Sequence, residues 1–149
     1  MERRRRSQHS RLGKPSESPE ELRNRTMRAV HSSGTSTELV VRKKLRELGF
    51  TGYRLNREDL PGKPDVVFIG RRKAIFVNGC FWHGHDCKRG SRLPTTNAAY
   101  WASKIRRNRE RDVEHLCTLA DANWKVLTIW ECELRDMAKT AAKIAAFMS

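Results

Sequence analysis

Asn78-Gly79-Cys80-Phe81-Trp82-His83-Gly84-His85-Asp86-Cys87 places two thiols, two imidazoles and a carboxylate within ten residues. Thiolates and imidazoles are the donors of a structural Zn²⁺ site, which takes four of them tetrahedrally and leaves no open position. Cys80, Cys87 and one histidine would supply three. Cys132, in Trp130-Glu131-Cys132, would supply the fourth from far downstream and tie two chain segments together. The Cys-x4-His-x-Cys spacing lies outside the common finger patterns, and spacing does not decide whether His83 or His85 is the ligand. The histidine left over would be held beside the metal, placed for proton transfer.

A second group with chemical potential is Asp65, at the end of Leu60-Pro61-Gly62-Lys63-Pro64-Asp65. Pro61-Gly62 turns the chain and Pro64 keeps it extended, so Asp65 opens the following strand on a fixed backbone. Alone, Asp65 reads as a turn cap. The strand after it would return antiparallel into the cysteine–histidine segment, bringing Asp65 near the backbone of Val77 and near His83. A carboxylate, a free carbonyl and water form the oxygen surroundings that Mg²⁺ prefers when it also meets a phosphate.

The elements that must position these groups are legible in part. Ser18-Pro19-Glu20-Glu21 opens a helix expected to run to about residue 30. Thr35-x-x-Glu38 is a second capping box, opening a helix with Leu39, Leu45 and Leu48 as apolar positions and Gly49 closing it. Tyr53–Leu55, Asp65–Ile69 and Lys73–Val77 are β-rich, the last two joined by a Gly70-Arg71-Arg72 turn. After a polar loop over 88–99, a long basic helix is expected from Ala98 to Ala122, with Tyr100, Trp101, Ile105, Val113, Leu116 and Leu119 as its apolar stripe. Trp124–Trp130 reads as a buried strand, with Trp124 and Trp130 in the core, and Leu134–Phe147 as a final helix. The order gives an α/β domain with a mixed β-sheet flanked by helices.

The 149 residues suit one domain, expected over 18–149, preceded by a disordered basic arm over 1–17. Thirty-one Lys and Arg against seventeen Asp and Glu give a formal charge of +14, which favours a polyanionic partner such as nucleic acid. Residues 88–112 carry Lys88, Arg89, Arg92, Lys104, Arg106, Arg107, Arg109 and Arg111 against Glu110 and Asp112. Four cysteines, three of them candidate ligands, fit a reducing compartment, and Cys117 fits core packing. No apolar run approaches the roughly 20 residues of a membrane span. Arg3–Arg6 precede no apolar stretch of a secretion signal. A soluble, cytoplasmic protein is expected.

Six ordered blocks resemble the very short patch repair endonucleases, bacterial enzymes that nick DNA at T:G mismatches. They are Thr26-Met-Arg-Ala-Val30, Pro61-Gly-Lys-Pro-Asp65, Ile75-Phe-Val-Asn-Gly-Cys-Phe-Trp-His-Gly-His-Asp-Cys87, Tyr100-Trp-x-x-Lys-Ile105, Asn108-x-x-Arg-Asp112 and Trp124-Lys-Val-Leu-x-x-Trp-Glu-Cys132. They span about residues 22–148. The resemblance implies a restriction-endonuclease-like fold with a structural zinc site. It implies Mg²⁺ on Asp65 and the main-chain carbonyl of Val77, His83 as general base, and Glu38 in support. Glu38 is equally explained as the third residue of its capping box. Zinc would rest on Cys80, His85, Cys87 and Cys132. Where relatives in the wider nuclease class carry an acidic-x-Lys triplet, this chain has Phe76-Val77-Asn78.

For recognition, the resemblance implies that Phe81, Trp82 and Trp101 enter the duplex beside the mismatch, that Met27 approaches from the opposite groove, and that Lys104 and Asn108 meet base edges and backbone. A T:G wobble stacks less well than a matched pair, so opening it costs less. The partner implied is double-stranded DNA with a T:G mismatch, cut 5′ to the T by a monomer, with mismatch-repair proteins as further partners. Competing readings are a less selective nuclease on the same fold and a zinc-stapled DNA-binding module without catalysis.

Overall fold

The computed structural model describes residues 35–149 and the single helical position Glu20. The arm expected over 1–17, most of the helix expected over 18–30, and Met27 lie outside the described residues.

Helix α1 (Ser36–Glu47) starts where its capping box predicts: the Thr35 hydroxyl accepts the Glu38 N–H at 3.3 Å. Its buried face is Glu38, Val41 and Leu45, spaced three and four apart as one helical stripe requires. Of the apolar positions Leu39, Leu45 and Leu48, Leu39, 53% exposed, and Leu48, 37% exposed, fall outside the core. A carboxylate, Glu38, takes the inward place one residue before the exposed Leu39. That substitution of charge for oil at a buried position is the first structural sign of a site.

Four strands follow: β1 (Arg54–Leu55), β2 (Val66–Phe68), β3 (Lys73–Asn78) and β4 (Lys125–Trp130), in the sheet order β1-β2-β3-β4. β1 and β2 pair antiparallel, as do β2 and β3. β2 is shorter than its apolar run suggests, because Ile69–Arg71 turns into a single 3-10 helix. From β3 the chain crosses through the 24-residue helix α2 (Ala98–Asp121) and returns as β4, parallel to β3. After a 3-10 segment over Glu131–Arg135, helix α3 (Met137–Met148) ends the described chain. The final helix thus begins three residues later than expected, the intervening stretch being wound too tightly for α geometry. The result is a mixed α/β fold with helices about a mixed sheet, consistent with the restriction-endonuclease-like class.

Strand alternation sorts the side chains by face. Ile75, Val77, Leu127 and Ile129 join Val41, Leu45, Ile144 and Met148 in the core between the sheet and helices α1 and α3. Phe76, Asn78 and Thr128 meet Asp112, His115 and Leu116 of α2 on the opposite face. Each fully buried aliphatic side chain contributes about 1.5–3 kcal/mol on transfer from water. Helix α2 buries only Trp101, Ile105 and Leu119, whereas Tyr100, Val113 and Leu116 are 38%, 60% and 37% exposed. Cys117 is exposed as well, not packed in the core. A helix that touches the sheet along part of its length leaves the remaining apolar positions in water. No described helix is long and apolar enough to cross a membrane.

Candidate metal and catalytic site

Strand register explains how two cysteines fifty-two positions apart meet. In the parallel pair, Asn78 lies opposite Trp130. Cys80 and Cys132 each stand two residues beyond those partners, so both leave adjacent strands at the same height. The Cys132 N–H points at the Cys80 Sγ, 3.4 Å away. The chain then turns tightly: the His83 N–H donates to the Gly79 carbonyl at 3.3 Å and the His85 N–H to the Cys80 carbonyl at 3.0 Å. This returns the His85 ring, whose Nδ1 lies 3.5 Å from the Cys132 Sγ.

One donor atom from each of Cys80, His85, Cys87 and Cys132 lies within 4.8 Å of every other, a group able to hold a metal ion. His85, not His83, is the imidazole of this group. Trp130 stacks on it, centroids 4.2 Å apart and planes 13° from parallel. Trp130 is thus half-buried against the donor group instead of lying in the core. Burial pushes the Cys80 thiol up to about 12 and raises Cys132 as well. Cys87 is drawn down to about 6, chiefly by the Gly90 N–H that points at its sulfur from 3.3 Å. The loop thus favours the thiolate at Cys87 and the thiol at its neighbours, and a bound metal ion would displace the remaining protons.

Gly84 and Gly90 let this loop fold. A Cβ at Gly90 would lie 2.1 Å from the His85 carbonyl oxygen, main chain against main chain, so no other residue fits. Gly84 has φ +60°, and a Cβ there would sit 2.6 Å from Ile105 and 2.8 Å from Arg109 of α2. The loop is therefore pressed onto α2, which also holds it by a hydrogen bond from the Asn108 side-chain amide to the Trp82 carbonyl at 2.8 Å.

His83, excluded from the thiol group, faces an acid instead. Its Nδ1 lies 2.6 Å from Asp112 Oδ2. Asp112 stands on α2 amid arginines, where sequence reading treats it as one of two acids diluting a basic run and assigns it no role. The signal available was its position four residues after Asn108, on the same helical face as the residue that anchors the loop. A carboxylate on Nδ1 fixes the tautomer, leaving Nε2 as the atom able to accept a proton.

Asp65 is where the hairpin predicts. Its Oδ2 accepts the Val77 N–H at 2.7 Å, at the end of β3. Burial pushes its carboxyl up to about 7; the Glu38 carboxylate adds to the rise, against the pull of the Val77 N–H and of His83. Glu38, only 3% exposed, also accepts from Arg42 Nη2 at 3.1 Å. Asp65, Glu38 and His83 are thus electrostatic neighbours, drawn from a hairpin, helix α1 and the metal loop.

Phe81, Trp82 and Trp101 form one aromatic group, ring centroids 5.2, 5.6 and 5.7 Å apart. Trp101 is 9% exposed, its neighbours half-buried. Lys104 is half-buried one turn further along α2.

The family model described as DNA mismatch endonuclease Vsr matches residues 18–89. The type II nicking enzyme V.XorIIP of Xanthomonas oryzae pv. oryzae is 45% identical over 124 residues, 83% of this chain and 90% of that protein. The chain belongs to the Vsr DNA mismatch endonuclease family. Other Vsr-family relatives include the type II nicking enzyme V.NmeAIP of Neisseria meningitidis, 40% identical over 78% of this chain and 81% of its own. DNA mismatch endonuclease Vsr of Escherichia coli is 38% identical over 78% of this chain and 74% of its own. Membership in the Vsr family makes the chain a DNA endonuclease, a hydrolase of the phosphodiester backbone.

Proposed function

We propose that this protein nicks one strand of duplex DNA 5′ to the T of a T:G mispair, as a monomer, in repair of deaminated 5-methylcytosine. The observation that carries the reading is the convergence of Asp65, Glu38 and an Asp112-oriented His83 at one end of β3. Hydrolysis of a phosphodiester needs an acceptor for the proton of in-line water and compensation for charge on the non-bridging oxygens. His83 Nε2 takes the proton. Asp112 holds the ring by Nδ1 and stabilises the imidazolium that results.

Asp65 and the Val77 carbonyl would hold Mg²⁺, with Glu38 in support. The fit is electrostatic: burial, with the Glu38 carboxylate adding to it, raises Asp65 to about 7, and a hard cation would relieve that cost. When bound, Mg²⁺ supplies the compensation for phosphate charge. Cys80, His85, Cys87 and Cys132 would hold zinc. A tetrahedral zinc with bonds of about 2.3 Å to sulfur sets its ligands about 3.8 Å apart, and the four donors lie within 4.8 Å of one another. All four positions are taken by protein, so zinc serves structure.

Phe81, Trp82 and Trp101 act as the wedge beside the mismatch, and Asn108 keeps Trp82 in place through its carbonyl. Lys104 and Met27 complete the DNA contacts, and mismatch-repair proteins are the expected partners in a cytoplasmic setting. Nicking of matched, T:G and other mismatched duplexes with Mg²⁺, mapped to the nucleotide, tests the reading. T:G duplexes should be cut preferentially and on the T strand; equal cutting of all duplexes would defeat it.

A further inference from the structure

Beside the thiol group, Cys87, Lys88, Arg89, Arg92, Cys132 and Arg135 line an open cavity of about 450 Å³. Four of the six are cations. Arg89 Nη1 meets Glu131 Oε1 at 2.8 Å, while Lys88, Arg92 and Arg135 form no ion pair among the described residues. Three thiolates around a divalent cation carry one net negative charge, and Glu131 carries a second. The lining cations outnumber these charges by two. The cavity therefore holds more positive charge than the metal group can absorb.

The loop bearing Lys88, Arg89 and Arg92 is held by its own hydrogen bonds, while Arg135 comes from the 3-10 segment after β4. The Gly90 N–H points at the Cys87 sulfur, the Ser91 N–H donates to the Cys87 carbonyl at 3.0 Å, and the Ser91 hydroxyl to the same carbonyl at 2.9 Å. The close main-chain approach of Gly90 to the His85 carbonyl admits no side chain at that position. Binding then costs little loop ordering, unlike binding by a loose charged face. Guanidinium forks match the oxygens of a phosphate. Glu131, which ties Arg89, also flanks Gly79 together with Trp82, at 3.7 and 3.6 Å from the position of a Cβ there. Arg89 of the cavity is thus tied to a carboxylate that stands near Trp82 across Gly79.

We infer that this cavity is a second phosphate site, taking one DNA backbone phosphodiester away from the bond that is cut. It rests on the proposed function for one point, that the polyanion is duplex DNA. Lys88, Arg92 and Arg135 are then affinity determinants that read no sequence and touch no reacting atom.

Full-length Lys88→Gln/Arg92→Gln/Arg135→Gln protein and wild type are compared by fluorescence anisotropy on matched and T:G duplexes, over a salt series without added Mg²⁺. Bound zinc is measured in the same samples. Affinity should fall about tenfold on both duplexes, and the slope of log affinity against log salt should flatten by about one. Zinc content and the nicking rate at saturating T:G duplex should stay at wild-type values. Unchanged affinity and slope would overturn the site. Loss of zinc would overturn it too, since the cations would then serve the thiolates. Wild type that binds duplex without preferring T:G would count against the mismatch reading alone, leaving the comparison of salt slopes intact.

Discussion

At the thiol corner, strand register and the main-chain contact at Gly90 bring four donors together on a loop pressed against α2. At the acidic corner, half-buried Asp65 neighbours the buried Glu38, and Asp65 is pushed up to about 7. Both corners leave the same end of β3. In the proposed function, the first gathers groups for a cation to lock and would contribute stability. The second holds a carboxyl whose charge a cation or a proton would relieve, and would contribute chemistry. Under that proposal, a site acting on phosphate keeps an unfavourable arrangement that the rest of the fold offsets.

The contrast breaks most sharply on substitution. Cys132→Ser should strip the metal and lower the thermal midpoint by about 10 °C or more, of order 3 kcal/mol, read by metal analysis and calorimetry. Asp65→Ala should do the reverse, abolishing nicking with metal at the thiols and folding retained. A smaller effect is expected at the residue that sequence reading passed over. Asp112→Asn should lower the nicking rate by roughly a hundredfold at unchanged zinc content, because His83 loses the partner that fixes its tautomer. An undiminished rate would mean that the 2.6 Å contact has no catalytic consequence.

The smallest effect sharpens the comparison through pH. Asp65 has an ordinary value of 3.8 and is pushed up to about 7 in the folded chain, chiefly by burial. Between those values the folded state keeps a proton that the unfolded chain has released, so this group's share of stability is present at acid pH. It is lost as pH rises through about 7. Without added Mg²⁺, Asp65→Asn should therefore raise the thermal midpoint by a few degrees at pH 8 and hardly at pH 4. Equal shifts at both pH values would remove electrostatic tension as the cause. With Mg²⁺, protons compete for the same carboxylate, and wild-type nicking should fall below about pH 7.

Which parts were legible follows from how local their causes are. The Thr35 cap, the hairpin between β2 and β3, and the span of α2 depend on residues within a few positions, and each lies where expected within a few residues. Glu38 was legible as the capping-box residue, and its burial at 3% beside Asp65 is what the proposed supporting role rests on. Exposure was less legible. Leu39, Val113 and Cys117 satisfy helical periodicity, but the length of helix that the sheet covers decides which of them are buried. The choice between His83 and His85 as ligand needed the resemblance, since it depends on the turn at Gly84 and the stacking of Trp130. Asp112 was hidden because its partner lies 29 positions away and its neighbours in sequence are arginines.

The adjacent histidines offer the most direct measurement of the division between the two corners. His83→Ala and His85→Ala proteins are prepared in parallel, and zinc content and T:G nicking are measured on each. His83→Ala should keep its zinc and nick at least a hundredfold more slowly, while His85→Ala should lose zinc. Zinc lost from His83→Ala, or normal nicking by it, would contradict the assignment of one imidazole to the metal and the other to the proton.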